Sequence, residues 1–340
     1  MKKVRIGING LGRIGRAFLK IAVERPEVEV VAANDLGDLN NLAYLLKYDT
    51  AYGPSSLPIK AHDKKLLVGA HEIQVFQEKD PRNIPWGQLG VDVVVESTGF
   101  FTTYESCKAH IDAGARKVVI SAPVKGKPLP GISGATVLLG INDHLLATSQ
   151  ITSNASCTTN SASPVIAILH EAIGIKKAVL NTTHAYTASQ RLVDSPDAKD
   201  FRRGRAAAGN IIPSTTGAAE AVTEAIPALI GKFDGLALRV PVISGSIADI
   251  TFIAARPTTV EEVNKLLREA AKLDRWKKVF AITDEPLVSS DILGSHYASI
   301  ADLGLTKVVD GDLVKVMAWY DNESGYSHAL LEHVIKTANA

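Results

Sequence analysis

The sequence predicts an α/β chain in two parts. A doubly wound parallel sheet is expected over residues 1–155, followed over 156–325 by an α+β unit whose sheet is mostly antiparallel. Three observations predict this. Short apolar strands alternate with helical stretches through the first third, a glycine-rich turn follows the first strand, and beyond about residue 178 the strands lengthen and become rich in Thr and Val. The length, 340 residues, suits two domains at roughly 100–200 residues each.

The elements follow in order. Residues 4–8 read as a strand, and a helix over 13–24 places Ile14, Phe18, Leu19 and Ala22 on one face before Pro26 ends it. Strands are expected at 27–33, 91–96 and 117–121, with a helix over 104–113 between the last two. An apolar helix covers 165–173. Later strands are expected at 178–184, 236–240, 246–255 and 313–319. Residues 259–273 form a helix, with Thr259 and Glu262 as a capping box and Val263, Leu266, Leu267 and Ala270 as the buried stripe. Residues 187–213 lack periodicity and carry five Arg or Lys; a loop this long is expected to be ordered and functional. The closing helix, 326–340, is expected to pack back on the first domain. There is no internal repeat.

Composition narrows the function. Hydrophobic residues make up 46% and charged residues 21%, ordinary for a globular chain, and the net charge of +1 gives no general attraction to nucleic acid or an anionic membrane. No apolar run reaches the ~18 residues of a membrane span, and residues 1–8 lack a signal-peptide pattern. Cys107 and Cys157 sit in no C-x-x-C pair, so a disulfide framework and a metal site are not expected, and a reducing, cytoplasmic setting is.

Gly10-Leu11-Gly12-Arg13-Ile14-Gly15 is a G-x-G-x-x-G between a strand and a helix. There, backbone N–H groups and a helix N-terminus face a pyrophosphate. The following strand ends at Asn34-Asp35, where an acidic residue can bind ribose hydroxyls and repel a 2′-phosphate, which favours NAD over NADP. Ser97-Thr98-Gly99-Phe100 and Ser121-Ala122-Pro123 end two further strands, the positions at which dinucleotides lie in a Rossmann-type sheet.

Ser153-Asn154-Ala155-Ser156-Cys157-Thr158-Thr159-Asn160 precedes the apolar helix. Ser156 as N-cap puts Cys157 in the first turn, where the helix N-terminus lowers a thiol pKa. Taken alone, Cys157 is either a nucleophile or an inert buried thiol. The hydroxyl-rich neighbours favour the nucleophile. His184 ends a strand and is a candidate base, but spacing does not show that it meets Cys157.

The Ser153–Asn160 segment resembles the active-site signature of phosphorylating glyceraldehyde-3-phosphate dehydrogenases. The resemblance extends through the glycine turn, Asn34-Asp35-Leu36, the His184 segment, Arg202-Arg203-Gly204-Arg205, Ser214-Thr215-Thr216-Gly217-Ala218-Ala219, Arg239-Val240-Pro241 and Trp319-Tyr320-Asp321-Asn322-Glu323. It implies that Cys157 is the nucleophile and His184 the base. It further implies that Gly10, Gly12, Arg13, Ile14, Asn34, Asp35, Thr98, Gly99, Ser121 and Asn322 contact NAD, with Asn322 on the carboxamide. Thr187 and Arg239 would bind the substrate C3 phosphate, and Ser156, Thr158, Thr216 and Gly217 the attacking inorganic phosphate. A homotetramer is implied, with the arginine-bearing loop at a subunit interface.

The chain departs from the family in places. Ser161 stands where a second Cys is frequent, Val242-Ile243-Ser244-Gly245-Ser246 replaces Thr-Pro-Asn-Val-Ser, and Ser189 stands where Asp or Thr is common. Ser195-Pro196 has the Pro of NAD-specific members but not their usual partner, which leaves NADP use open. The rival readings are an erythrose-4-phosphate dehydrogenase, a thiol hydrolase or acyltransferase built on Cys157 and His184, and a non-catalytic NAD-binding module.

Overall fold

The computed structural model describes residues 3–198 and 200–340. Met1, Lys2 and Lys199, one of the five basic residues of the long loop, lie outside them. Contacts group the chain into two units. One comprises residues up to Val137, Asn142–Ala155 and Leu330–Ala340; the other comprises Leu138–Ile141 and Ser156–Ala329.

The first unit is built on β1 (Val4–Asn9), α1 (Arg13–Ala22), β2 (Val28–Asn34) and α2 (Leu39–Lys47), followed by a minimal ribbon of β3 (Tyr48–Asp49) and β4 (Gly53–Pro54). Then come β5 (Ile59–His62), β6 (Lys65–Val68), β7 (His71–Phe76), β8 (Val93–Glu96), α3 (Tyr104–Asp112), β9 (Lys117–Ile120), β10 (Gly134–Thr136) and β11 (Ile151–Ser153). Nine strands form one sheet in the order β10-β11-β9-β8-β1-β2-β7-β6-β5. It is parallel from β10 to β7, and the β5–β6–β7 meander adds an antiparallel edge.

β1 is the hinge of the topology. The chain leaves it for β2 on one side and later returns to β8 on its other side, so the connections at the carboxyl ends of β1 and β8 diverge and open a crevice. Val94, Val118 and Ile120 pack with Trp86, Tyr104 and Cys107 as core beneath it. The meander was not expected from sequence. Its strands are short and half exposed, so their apolar residues make no sustained run.

The second unit opens with α4 (Cys157–Ile173), longer than the apolar stretch predicted, and β12 (Ile175–Ala185). It continues with β13 (Ile212–Thr215), α5 (Ala218–Ala225), β14 (Phe233–Val240), β15 (Ser246–Ala254), α6 (Val260–Ala270), β16 (Phe280–Thr283), β17 (Ser299–Val309), β18 (Leu313–Tyr320) and α7 (Ser324–Asn339). α7 runs on past Leu330 into the first unit. The seven-stranded sheet has the order β13-β14-β12-β15-β18-β17-β16. Only β12/β14 and β16/β17 are parallel.

One face of this sheet carries the core. β15 alternates buried and half-buried residues along its length, so Ala248, Ile250 and Phe252 meet Leu169 of α4, Val222 of α5 and Leu267 of α6 in one cluster. The other face leaves Val179, Leu236 and Leu313 exposed. β17 escaped sequence detection because a bulge between Asp302 and Lys307 breaks its alternation.

The predicted capping box is corrected. The Thr259 hydroxyl accepts from Glu262 N at 3.2 Å, but the Glu262 carboxylate turns to Arg256 and Thr258 instead of closing the box. A bidentate guanidinium outcompetes one backbone N–H. The helix also stops at Ala270, short of the predicted 273. The long loop is ordered by its own contacts. Asp194 accepts from Ala206 N at 2.9 Å and pairs with Arg205, Ser195 N donates to Gly204 O at 2.8 Å, and a 3-10 turn covers Ala207–Gly209.

Candidate active site

In the first unit, a cavity of about 470 Å³ opens at the carboxyl ends of β1, β2 and β8. Asn9, Gly10, Gly12, Asn34, Asp35, Thr98 and Phe100 are among its walls. Gly10 has φ +96°, and a Cβ there would meet Thr98 N at 2.7 Å; a Cβ on Gly15 would lie 1.9 Å from Gly10 O. These two glycines are steric requirements of the turn. A Cβ on Gly12 meets nothing within 4 Å, so Gly12 leaves room above the N-terminus of α1 for a phosphate to approach the backbone.

Asp35 is held for its task. One carboxylate oxygen accepts from Leu11 N at 2.7 Å, the other from Gly37 N at 2.8 Å. The carboxylate therefore pins the glycine turn while remaining in the cavity wall. The Asn34 side chain is spent on the segment after β7: it accepts from Glu78 N at 2.8 Å and donates to Glu78 O at 3.0 Å. Arg13, Ile14, Gly99 and Ser121 do not line this cavity. The Arg13 guanidinium is directed to Asp49, 2.7 Å away. Asn9, Lys79 and Phe101 line the cavity without having been given a role from sequence, and Ser97 and Phe100, quoted within the turn after β8, line it beside Thr98. Phe100 is 87% exposed, an aromatic side chain at the cavity wall outside the core.

In the second unit, Ser156 caps α4, its hydroxyl accepting from Thr159 N at 3.0 Å, and Cys157 is the first helical residue. His184 lies near the end of β12, and its Nε2 is 3.3 Å from Cys157 Sγ. Parallel register pairs His184 with Arg239 on β14. This places the two side chains on one sheet face, with Arg239 Nη1 2.7 Å from His184 Nδ1. His184 Nδ1 is also 2.6 Å from Ala185 O.

The electrostatics correct one expectation. The helix start does not lower the Cys157 thiol overall. Burial pushes it up, and this outweighs the opposing pull of the Arg239 charge and of the Thr158 N–H and hydroxyl. Burial, then Arg239, hold the His184 imidazole down at about 3. A lone thiolate and a lone imidazolium are thus both penalised. Moving one proton from sulfur to His184 makes both charges together, so each offsets the burial cost of the other.

Arg239 is half-buried, and its Nε has no hydrogen-bond partner among the described residues. The same is true of Arg203 Nε, on the long loop and close enough to Arg239 for the two charges to interact. Arg203 was quoted within a motif but given no role from sequence.

The remaining residues take these places. The Thr158 hydroxyl lies 2.8 Å from the Tyr320 hydroxyl, which is 2.7 Å from Thr182 Oγ1. Tyr320 was also missed, because a Tyr at a strand end has a hydrophobic reading as good as any. Thr187 Oγ1 contacts Ser189 Oγ at 2.9 Å, and Thr216 Oγ1 accepts from Ala218 N at 3.2 Å, beside Gly217 at the start of α5. Asn322 Oδ1 accepts from Gly245 N at 3.2 Å and Ser246 Oγ at 2.9 Å, which fixes its amide orientation. Among the described residues no cluster of three or more potential metal ligands occurs, and no helix is long and apolar enough to cross a membrane.

The comparisons with known proteins agree in kind. The family model for the NAD binding domain of glyceraldehyde 3-phosphate dehydrogenase matches residues 4–104, and that for the C-terminal domain matches residues 156–322. The chain is 46% identical to the glyceraldehyde-3-phosphate dehydrogenase of Geobacillus stearothermophilus over 331 residues, 97% of this chain and 96% of that protein. It is 44% identical to glyceraldehyde-3-phosphate dehydrogenase 1 of Kluyveromyces lactis over 335 residues (97% and 99%) and 45% identical to glyceraldehyde-3-phosphate dehydrogenase 1 of Bacillus subtilis over 331 residues (97% and 96%). The glycine turn, the thiol–imidazole pair and these matches across both units lead to one conclusion: the chain belongs to the glyceraldehyde-3-phosphate dehydrogenase family, NAD-dependent oxidoreductases.

Proposed function

We propose that this enzyme oxidises D-glyceraldehyde 3-phosphate, with NAD and inorganic phosphate, to 1,3-bisphosphoglycerate through a thioester on Cys157. The observation that carries the reading is the 3.3 Å approach of Cys157 Sγ to His184 Nε2 at a helix N-terminus beside the half-buried Arg239 guanidinium.

His184 takes the thiol proton, and the sulfur attacks the aldehyde carbon to give a thiohemiacetal. The Cys157 and Thr158 N–H groups at the start of α4 bond the sulfur, and donors of this kind stabilise the oxyanion of such an adduct. His184 returns its proton to that oxyanion, which completes the thiohemiacetal hydroxyl, and takes it back as the carbon is oxidised. NAD, when bound, supplies the hydride acceptor. Gly10, Gly12 and the N-terminus of α1 suit its pyrophosphate, Asp35 its ribose hydroxyls, and Asn322 its carboxamide. Inorganic phosphate attacks the thioester, and Cys157 leaves as thiolate.

The Arg239 guanidinium, whose Nε has no hydrogen bond, and the Arg203 charge near it favour a phosphorylated substrate and an oxyanion co-substrate over the hydrolase reading. Arg239, with Thr187, is assigned to the C3 phosphate. Ser156, Thr158, Thr216 and Gly217 are assigned to the attacking phosphate. Asp35 favours NAD, and NADP is the second reading of the cofactor. The exposed apolar face of the second sheet, with Val179 57% and Leu236 45% exposed, supports association of copies, and a homotetramer is proposed. A cytoplasmic setting fits two unpaired thiols.

The test is NADH formation from glyceraldehyde 3-phosphate, NAD and phosphate, run beside erythrose 4-phosphate. Cys157→Ser should abolish turnover while leaving NAD binding intact. Appreciable turnover by that variant would remove the covalent mechanism.

A further inference from the structure

We infer that Glu96, a buried carboxylate outside the thiol site, is the positioning residue that presets the dinucleotide cavity through Thr98 and Asn9. It rests on the reading of that cavity as the NAD site.

Glu96 ends β8 and is 2% exposed. Four donors converge on it. Asn9 Nδ2 lies 2.6 Å and His110 Nε2 3.0 Å from Oε2; Thr98 N lies 2.8 Å and Thr98 Oγ1 2.5 Å from Oε1. One side chain therefore ties the ends of β1 and β8 to helix α3. Two of its partners, Asn9 and Thr98, are cavity walls.

The direction of every bond is fixed from outside. An indole N–H can only donate, and Trp86 Nε1 donates to His110 Nδ1 at 3.1 Å. The His110 proton must then sit on Nε2, facing Glu96. On the other flank, Glu78 uses both its N–H and its C=O on the Asn34 side chain, which settles the orientation of that amide. Asn34 Nδ2 donates to Asn9 Oδ1 at 2.7 Å, so Asn9 is left to present its own NH2 to Glu96. The Thr98 hydroxyl accepts from Phe100 N at 3.1 Å and donates to Glu96. Nothing but an acceptor with two oxygens satisfies this set.

A carboxamide at position 96 is isosteric but brings one acceptor and one donor. Its NH2 must confront either Asn9 and His110 or the two donors of Thr98. The first pair is locked by Asn34 and Trp86. Thr98, in the loop after β8, is the partner free to give way, and with it moves the cavity wall.

The experiment measures NAD affinity by equilibrium binding, independent of turnover. Glu96→Gln should weaken NAD about tenfold or more. The KM for aldehyde and the iodoacetamide rate of Cys157 should stay within about twofold of wild type. Trp86→Phe releases His110 to carry its proton on Nδ1 and accept from the new amide, which relieves one of the two donor clashes on that side and leaves the one with Asn9, still held by Asn34. The double variant Trp86→Phe/Glu96→Gln should therefore bind NAD more tightly than Glu96→Gln alone. Trp86→Phe by itself should lower thermal stability and leave NAD affinity within about twofold. Unchanged NAD affinity in Glu96→Gln overturns the proposal. So do losses of equal size in aldehyde KM and thiol reactivity, and so does additive worsening in the double variant. An inactive wild type with the NAD pattern intact would instead count against the proposed function.

Discussion

Protonation of one buried histidine should set the acid stability of the first unit. His333, on α7, is fully buried. Its Nδ1 lies 3.0 Å from Asn154 Oδ1, an atom that only accepts, so Nδ1 carries the proton and Nε2 accepts from the Thr152 hydroxyl at 2.8 Å. Burial holds its pKa at about 3, with Asp143 pulling up and Lys336 pulling down. The unfolded chain takes up this proton near pH 6.5, whereas the folded chain resists until about pH 3. Between those values the unfolded state binds more protons, so stability falls as pH falls. One proton is worth about 1.4 kcal/mol per pH unit once the unfolded histidine is fully protonated, so the descent from pH 6.5 to 4.5 should cost about 2 kcal/mol through His333. His184, also held at about 3, adds a similar slope in the second unit. Glu side chains, half protonated at their model value of 4.5, add a slope at the foot of this window that wild type and variant share, so it cancels in the comparison. The assay is denaturant unfolding at half-unit pH steps for wild type and His333→Gln, whose amide can keep both contacts. The variant should lose about one proton of pH dependence across this window. Identical slopes would show that His333 is already protonated in the fold, or that water reaches it, and would refute the burial argument.

Other outcomes follow from the sites. Replacing Asp35 with Gly removes a carboxylate near the ribose and the acceptor for Leu11 N and Gly37 N. The NADP/NAD ratio of kcat/KM should rise at least tenfold while NAD binding itself weakens, and an unmoved ratio would place discrimination at Ser195-Pro196. His184→Asn should slow alkylation of Cys157 near neutral pH by about tenfold or more, since the partner that receives the thiol proton is gone; an unchanged rate measured against iodoacetamide would mean that the helix start and Arg239 activate the thiol unaided. Arg239→Leu should raise the KM for the phosphorylated aldehyde far more than that for unphosphorylated glyceraldehyde, and equal changes would remove Arg239 from substrate recognition.

The sequence by itself determined whatever depends on neighbours along the chain. The glycine turn, the βα alternation, the Ser156 cap with Cys157 behind it and the apolar stripe of α6 are local patterns, and each stands where it was read. Tertiary structure alone decided what depends on register and burial. The β12/β14 pairing set Arg239 against His184, and the return of β12 brought His184 to Cys157 across 27 positions. Burial reversed the expected direction of the thiol pKa, because desolvation is a property of the packed interior and outweighed the helix start. The same holds for Glu96. In sequence it is one acid before a Ser-Thr-Gly turn, and it becomes a fourfold acceptor only when β1, β8 and α3 enclose it. A pattern of residues records which groups are available. Which of them must share a proton or go without water is settled by the distances that folding closes.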